Sequence, residues 1–219
     1  MTTTHRLGSE WVMDHAAGTL NEGETLLVAS HLSFVPDAAS EIRAAEAVGG
    51  MLLDGLAPDP LADDALNRVL ARLYEPEPAA EEEAAMPEPA DQVLPAPLRR
   101  WLGRGDIEAL KWSFLGPGMR KVVLWRSEDG ACLWMLRAKA GTKVPRHGHG
   151  GVELTLVLTG SITDKSGTYR RGDVQEMNAA HTHGLTVGPE EECVCLAYTK
   201  GRMRFSGRIA RMMQPFLGI

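Results

Sequence analysis

The stretch Gly141–Gly160, GTKVPRHGHGGVELTLVLTG, decides how the C-terminal half is read. Its second part alternates. Glu153, Thr155, Val157 and Thr159 fall on one face of an extended strand, and Leu154, Leu156 and Leu158 on the other, because successive strand residues point to opposite sides. Its first part carries His147 and His149, two residues apart, so both imidazoles reach the same side of an extended segment. Gly148, Gly150 and Gly151 leave the backbone room to turn there. Glu153 is then aimed at the same interior as the two histidines. Four of the seven histidines lie between residues 147 and 183, and His183, from a later strand, is the candidate that closes the set. Three ring nitrogens and one carboxylate oxygen suit zinc, iron, manganese or nickel.

Outward from this stretch, the chain from about Leu98 has β texture. Short apolar runs such as MRKVVLWRS, CLWMLRA and CVCLAYTKG alternate with Gly, Asp and Ser turns, the signature of an antiparallel barrel or sandwich. The tail IARMMQPFLGI carries Met212, Met213, Phe216 and Leu217 and is expected to pack back onto the protein. Upstream, residues 75–97 read EPEPAAEEEAAMPEPADQVLPAP, dominated by proline and glutamate, which predicts an extended, solvated linker. Residues 1–74 are rich in helix formers. Four short helices are expected: from Ser9 as N-cap to Gly18, from Asn21 through His31, from about Pro36 to Leu53, and from about Asp63 to Tyr74 with Asp63 or Asp64 as cap. A bundle this small buries little area, so its apolar stripes invite a partner. The whole is an α + β multi-domain chain: a small helical bundle, a Pro/Glu linker and an antiparallel β-barrel.

Composition limits the function classes. The 219 residues are 44% hydrophobic and 24% charged, enough apolar material for a core. A net charge of −6 argues against direct nucleic-acid binding, since phosphate contacts need a basic patch. No apolar run long enough to span a membrane is present, and MTTTHRLGSEW lacks a signal-peptide layout. Three cysteines, Cys132, Cys193 and Cys195, do not make a disulfide scaffold, so a cytoplasmic location is expected. Cys193 and Cys195, two apart on one strand, have poor geometry for a disulfide and read as small buried residues. The five tryptophans read as core or interdomain packing.

Two resemblances follow from these motifs. Residues 141–160 resemble the first cupin motif: Gly141, five residues, His147-x-His149, three residues, Glu153, six residues, Gly160. The resemblance implies a jelly-roll-like cupin barrel over 98–219. In the second motif Gly172 and His183 match, whereas Asn178 and Ala180 stand where the family usually has proline and glycine. His181 is an alternative ligand; His183 is preferred because it sits at the motif spacing, with His181 left to hydrogen-bond behind a ligand. The whole chain is also similar to the ChrR family of anti-sigma factors. The phrases are His15-Ala16-Ala17-Gly18-Thr19-Leu20, Ala29-Ser30-His31-Leu32-Ser33, Ala47-Val48-Gly49-Gly50, Glu153-Leu154-Thr155-Leu156-Val157-Leu158, Cys193-Val194-Cys195-Leu196-Ala197 and Gln214-Pro215-Phe216.

That resemblance implies that residues 1–74 hold an extracytoplasmic-function (ECF) sigma factor. It also implies that the cupin half, loaded with one divalent metal, zinc first, is needed for release by singlet oxygen or related oxidants. One departure stands out. The family's helical domain carries zinc through an N-terminal histidine and a His-x3-Cys-x2-Cys signature. Here His31 matches, His5 lies near the N-terminal position, and the cysteine positions hold Val35 and Ala38. Without thiolates, even with Asp37 nearby, this is a poor zinc site. The helical domain is therefore expected to bind no zinc, with valine and alanine replacing the metal cross-link by apolar packing. A metal-dependent cupin dioxygenase or related small-molecule enzyme is the alternative for the C-terminal half. A sensor that has lost its sigma contact is a third reading.

Overall fold

The strands that read as nearly unbroken apolar runs, CLWMLRA, ELTLVLT and CVCLAYT, lie side by side in one sheet. The structure is a computed structural model and describes residues 3–73, 93–103, 105–148, 150–201 and 204–205. Its helices are α1 (Ser9–Ala17), α2 (Glu22–Leu32), α3 (Ala38–Asp54), α4 (Ala65–Arg72) and α5 (Ala96–Leu102). The strands are β1 (Ser113–Gly116), β2 (Met119–Arg126), β3 (Cys132–Ala138), β4 (Lys143–Gly148), β5 (Glu153–Thr159), β6 (Ser161–Thr163), β7 (Thr168–Arg170), β8 (Val174–Met177), β9 (Thr182–Val187), β10 (Cys193–Thr199) and β11 (Arg204–Phe205). They form a six-stranded sheet, β1-β2-β3-β10-β5-β8, and a five-stranded sheet, β11-β4-β9-β6-β7, all pairs antiparallel. This is the expected jelly-roll-like cupin architecture, as two facing sheets.

The central strands β3, β10 and β5 of the six-stranded sheet are buried on both faces, which explains their composition. Leu133, Met135, Leu154, Leu156, Leu158, Leu196 and Tyr198 join Leu26, Leu27, Val28 and Leu32 of α2 in one cluster. Trp134, Leu136, Val157, Cys195 and Ala197 face the other way and pack with Ile162, Tyr169, Leu185 and Val187 of the five-stranded sheet. The helices thus cover the outer face of the sheet whose inner face lines the site. Polar bonds add to the seam: Trp11 Nε1 donates to Glu176 Oε1 (3.2 Å), and Asn21 Nδ2 to the Tyr198 hydroxyl (2.9 Å). Residues 3–7 run beside β8, where the Val174 amide donates to the His5 carbonyl (3.0 Å). There the Asp173 carboxylate accepts from the amides of Thr4 (2.6 Å), His5 (2.9 Å) and Arg170 (2.9 Å).

Helix ends follow local chemistry, with corrections. Asn21 caps α2 in a capping box: its side chain accepts from the Glu24 amide, and Glu24 accepts from the Asn21 amide. Gly18 ends α1 at φ 69°, but Gly8, not Ser9, is the N-cap. Asp64 occupies the N-cap of α4 without a side-chain cap bond. The β texture begins at Ser113 rather than Leu98, because residues 96–102 form α5, with Leu94 and Leu98 fully buried in the shared core. Tyr74, residues 75–92 of the expected linker, and the tail from residue 206 lie outside the described residues. Among the described residues no helix is long and apolar enough to cross a membrane.

Candidate metal centre

Two sheets bring the candidate ligands together. His147 on β4 and His183 on β9 are directly opposite each other in the five-stranded sheet, their ring centroids 4.6 Å apart. The β4–β9 register shifts between Val144 and His147, an irregularity of the kind that re-aims side chains beside sites. Glu153 opens β5 in the facing sheet, with its Oε2 3.6 Å from His183 Nε2. One ligand atom from each of His147, Glu153 and His183 lies within 4.8 Å of the others, and all three residues are buried. His147 Nδ1 is 2.8 Å from the Pro145 carbonyl, so Nδ1 carries the proton and Nε2 a lone pair. The motif glycines are needed for geometry: Gly141, Gly160 and Gly172 have φ of 72°, 67° and 88°.

The electrostatics favour a cation. Burial alone would lower the His183 pKa, but Glu153, then Asp164, outweigh it and hold the ring above its ordinary value. Carboxylates that retain a proton on a buried imidazole equally favour a metal ion between them. Two imidazoles and a carboxylate at this spacing fit a divalent metal chemically.

Asp164 was not among the expected site residues. Its Oδ2 lies 3.5 Å from His183 Nδ1 and accepts from Gln175 Nε2 at 2.9 Å. In sequence it reads as the turn residue of Asp164-Lys165-Ser166-Gly167, which it also is: its Oδ1 accepts from the Ser166 amide (2.7 Å). That visible role masks the other.

The remaining expected residues sort clearly. His149 lies outside the described residues. His181 is exposed and its Nδ1 accepts from the Asn178 amide (3.4 Å), while Asp164 Oδ2 is the carboxylate oxygen beside His183 Nδ1. Asn178 serves the turn where the cupin pattern has proline, accepting from the Ala180 amide at 3.0 Å. His31 is buried with both ring nitrogens engaged: Nδ1 donates to the Gly172 carbonyl (2.9 Å) and Nε2 accepts from the Leu7 amide (3.3 Å). His5 instead packs on the Tyr169 ring, centroids 4.4 Å apart, with Nδ1 3.6 Å from Asp173 Oδ2. Val35 and Ala38 are buried in the shared core, as expected of apolar replacements. Cys132, Cys193 and Cys195 are free and buried. The Cys193 and Cys195 sulfurs are 3.5 Å apart, and the Cys193 contact together with burial pushes the Cys195 thiol well above its ordinary pKa.

Comparison with known proteins agrees with this geometry. Residues 104–202 match the model of the ChrR Cupin-like domain. The anti-sigma-E factor ChrR of Cereibacter sphaeroides is 34% identical over 222 residues, covering all of both chains. The crystal structure of Rhodobacter sphaeroides SigE in complex with the anti-sigma ChrR superposes with a TM-score of 0.75 at 33% identity, over 90% of this chain and 99% of that one. With relatedness over its full length and the same fold, this chain belongs to the ChrR family.

Proposed function

We propose that the protein is an anti-sigma factor that holds an ECF sigma factor through residues 1–74 and releases it on an oxidative signal read by its metal-binding cupin domain. In this reading residues 75–97 link the helical domain to the cupin domain, 98–219. The observation that carries it is the apolar face left open on the helices. Leu66, Val69 and Leu70 on α4 and Leu73 at its C-cap recur at helical spacing, α4 buries none of its residues, and Val48, Met51 and Leu52 are exposed on α3. Such a stripe on an otherwise packed chain marks a protein-binding surface. The net charge of −6 favours a protein partner over nucleic acid, and the protein is placed in the cytoplasm, off the membrane.

The metal ligands are His147, His149, Glu153 and His183, with zinc as the first choice and iron, manganese or nickel as alternatives. When bound, a divalent cation supplies positive charge and a cross-link among β4, β5 and β9. A signal there alters sigma binding only if it changes the relative energy of two arrangements of the helices. The α2 seam against β3, β5 and β10 is the contact through which such a change reaches them. A dioxygenase reading accounts for the cupin half alone, whereas the kinship with ChrR runs the length of the chain.

The test is co-purification of the full-length protein with its cognate ECF sigma factor. Wild type should retain the sigma factor, and Val69→Asp with Leu70→Asp should lose it while remaining folded. A folded wild-type bait that recovers no sigma factor refutes the proposal.

A further inference from the structure

We propose that Asp164 is a positioning residue for the metal centre, holding the His183 ring with its proton on Nδ1 and its Nε2 lone pair toward the ion. This inference rests on the metal-binding reading above. The carboxylate is built into place from both sides. Oδ1 accepts from its own turn, from the amides of Ser166 (2.7 Å) and Gly167 (3.3 Å), while Oδ2 accepts from Gln175 Nε2 (2.9 Å) and lies 3.5 Å from His183 Nδ1. The side chains of Asp164 and His183 are 3% and 8% exposed, and Gln175 is 1% exposed, so water does not compete for the contact.

The chemistry then runs one way. An ionised carboxylate only accepts, so the ring atom facing it is best an N–H donor. A neutral imidazole with its proton on Nδ1 has its lone pair on Nε2, and Nε2 is the nitrogen that faces Glu153 Oε2 at 3.6 Å. The opposite tautomer would donate Nε2–H to Glu153 and present no lone pair to a cation. A carboxylate behind a ligating histidine also makes the ring a stronger donor, and loss of such a partner typically weakens metal binding about 10–100-fold. Asp164→Asn is the informative change: its amide group can donate to Nδ1 and so favour the wrong tautomer in nearly unchanged volume.

The experiment uses full-length protein. Zinc affinity is measured by competition with a chromogenic chelator, and the His183 tautomer in metal-free protein is read from its ring nitrogen-15 shifts at mildly alkaline pH. Wild type is expected to bind one zinc and to carry the proton on Nδ1; Asp164→Asn is expected to bind about 10–100-fold more weakly and to shift toward the Nε2–H form. Zinc affinity and tautomer both unchanged in Asp164→Asn overturn the inference and leave the metal site standing. Wild type that takes up none of zinc, iron, manganese or nickel overturns both. If Asp164→Asn does not fold, Gln175→Met removes one partner of Oδ2 and keeps the carboxylate; weaker zinc binding then supports the inference and unchanged binding overturns it.

Discussion

His31 is bound to the fold through both of its ring nitrogens. In sequence it stands at a position where the ChrR family ligates zinc; in the fold it bonds the Gly172 carbonyl and the Leu7 amide. Its identity was legible from the sequence, but its partners, 24 and 141 residues away, were not. The same holds for Asp164, whose turn role is local and visible while His183 approaches only through folding. Burial lowers the His31 pKa; Arg6 lowers it further, and the Gly172 bond, Asp173 and Glu41 raise it only in part. A histidine held neutral when folded and ordinary when unfolded contributes stability that is complete above about pH 6.5 and declines as pH falls toward the depressed folded value. His31→Gln can still donate and accept but does not titrate. Urea unfolding at pH 7.5 and 5.5 should therefore show a smaller acid-induced loss in the variant, by about 1 kcal/mol. Identical pH dependence in the two proteins would remove His31 from this account.

At the scale of elements, the two faces of β5 were readable because strand alternation is strict. Glu153 and Val157 do share the site-facing side, and Leu154, Leu156 and Leu158 the other. What covers the leucine side was not readable: α2 lies more than a hundred residues away in sequence and carries no mark of its docking partner. Helix α5 was missed for a related reason. Proline-rich flanks suggested linker, yet Pro97 in the first turn is compatible with a helix start, and burial of Leu94 and Leu98 stabilises it. Close approach of α2 to the sheet depends on Gly23. A Cβ there would lie 2.7 Å from Trp125 Cε3 and 3.2 Å from Tyr198 Cδ2. Alanine ordinarily favours helix over glycine, so Gly23→Ala separates propensity from packing. The clash should dominate, with destabilisation of about 1–3 kcal/mol and a changed Trp125 fluorescence. A gain in stability would mean that the seam is looser than the contacts indicate.

For the molecule as a whole, the decisive feature is a core that runs from the helices into the six-stranded sheet. The same cluster holds Leu27 of α2, Leu98 of α5, and Leu133 and Leu196 of the six-stranded sheet. Removing α2 from the sheet would expose fully buried leucines on both sides, each worth about 1.5–3 kcal/mol on burial, so the packed helices and the sheet should unfold as one cooperative unit. Of the proposed metal ligands, Glu153 comes from that sheet and His147 and His183 from the sheet facing it. A metal binding only the folded state adds about 2.7 kcal/mol when free metal is a hundred times its Kd. For a chain of this size that corresponds to a rise in melting midpoint of roughly 5–10 °C. Because α2 and the sheet share their core, helical circular dichroism and tryptophan fluorescence should move upward together on zinc loading and fall together on chelation. A helical signal that melts at an unchanged temperature while tryptophan fluorescence responds would show that the seam is too weak to carry any message from metal to helix.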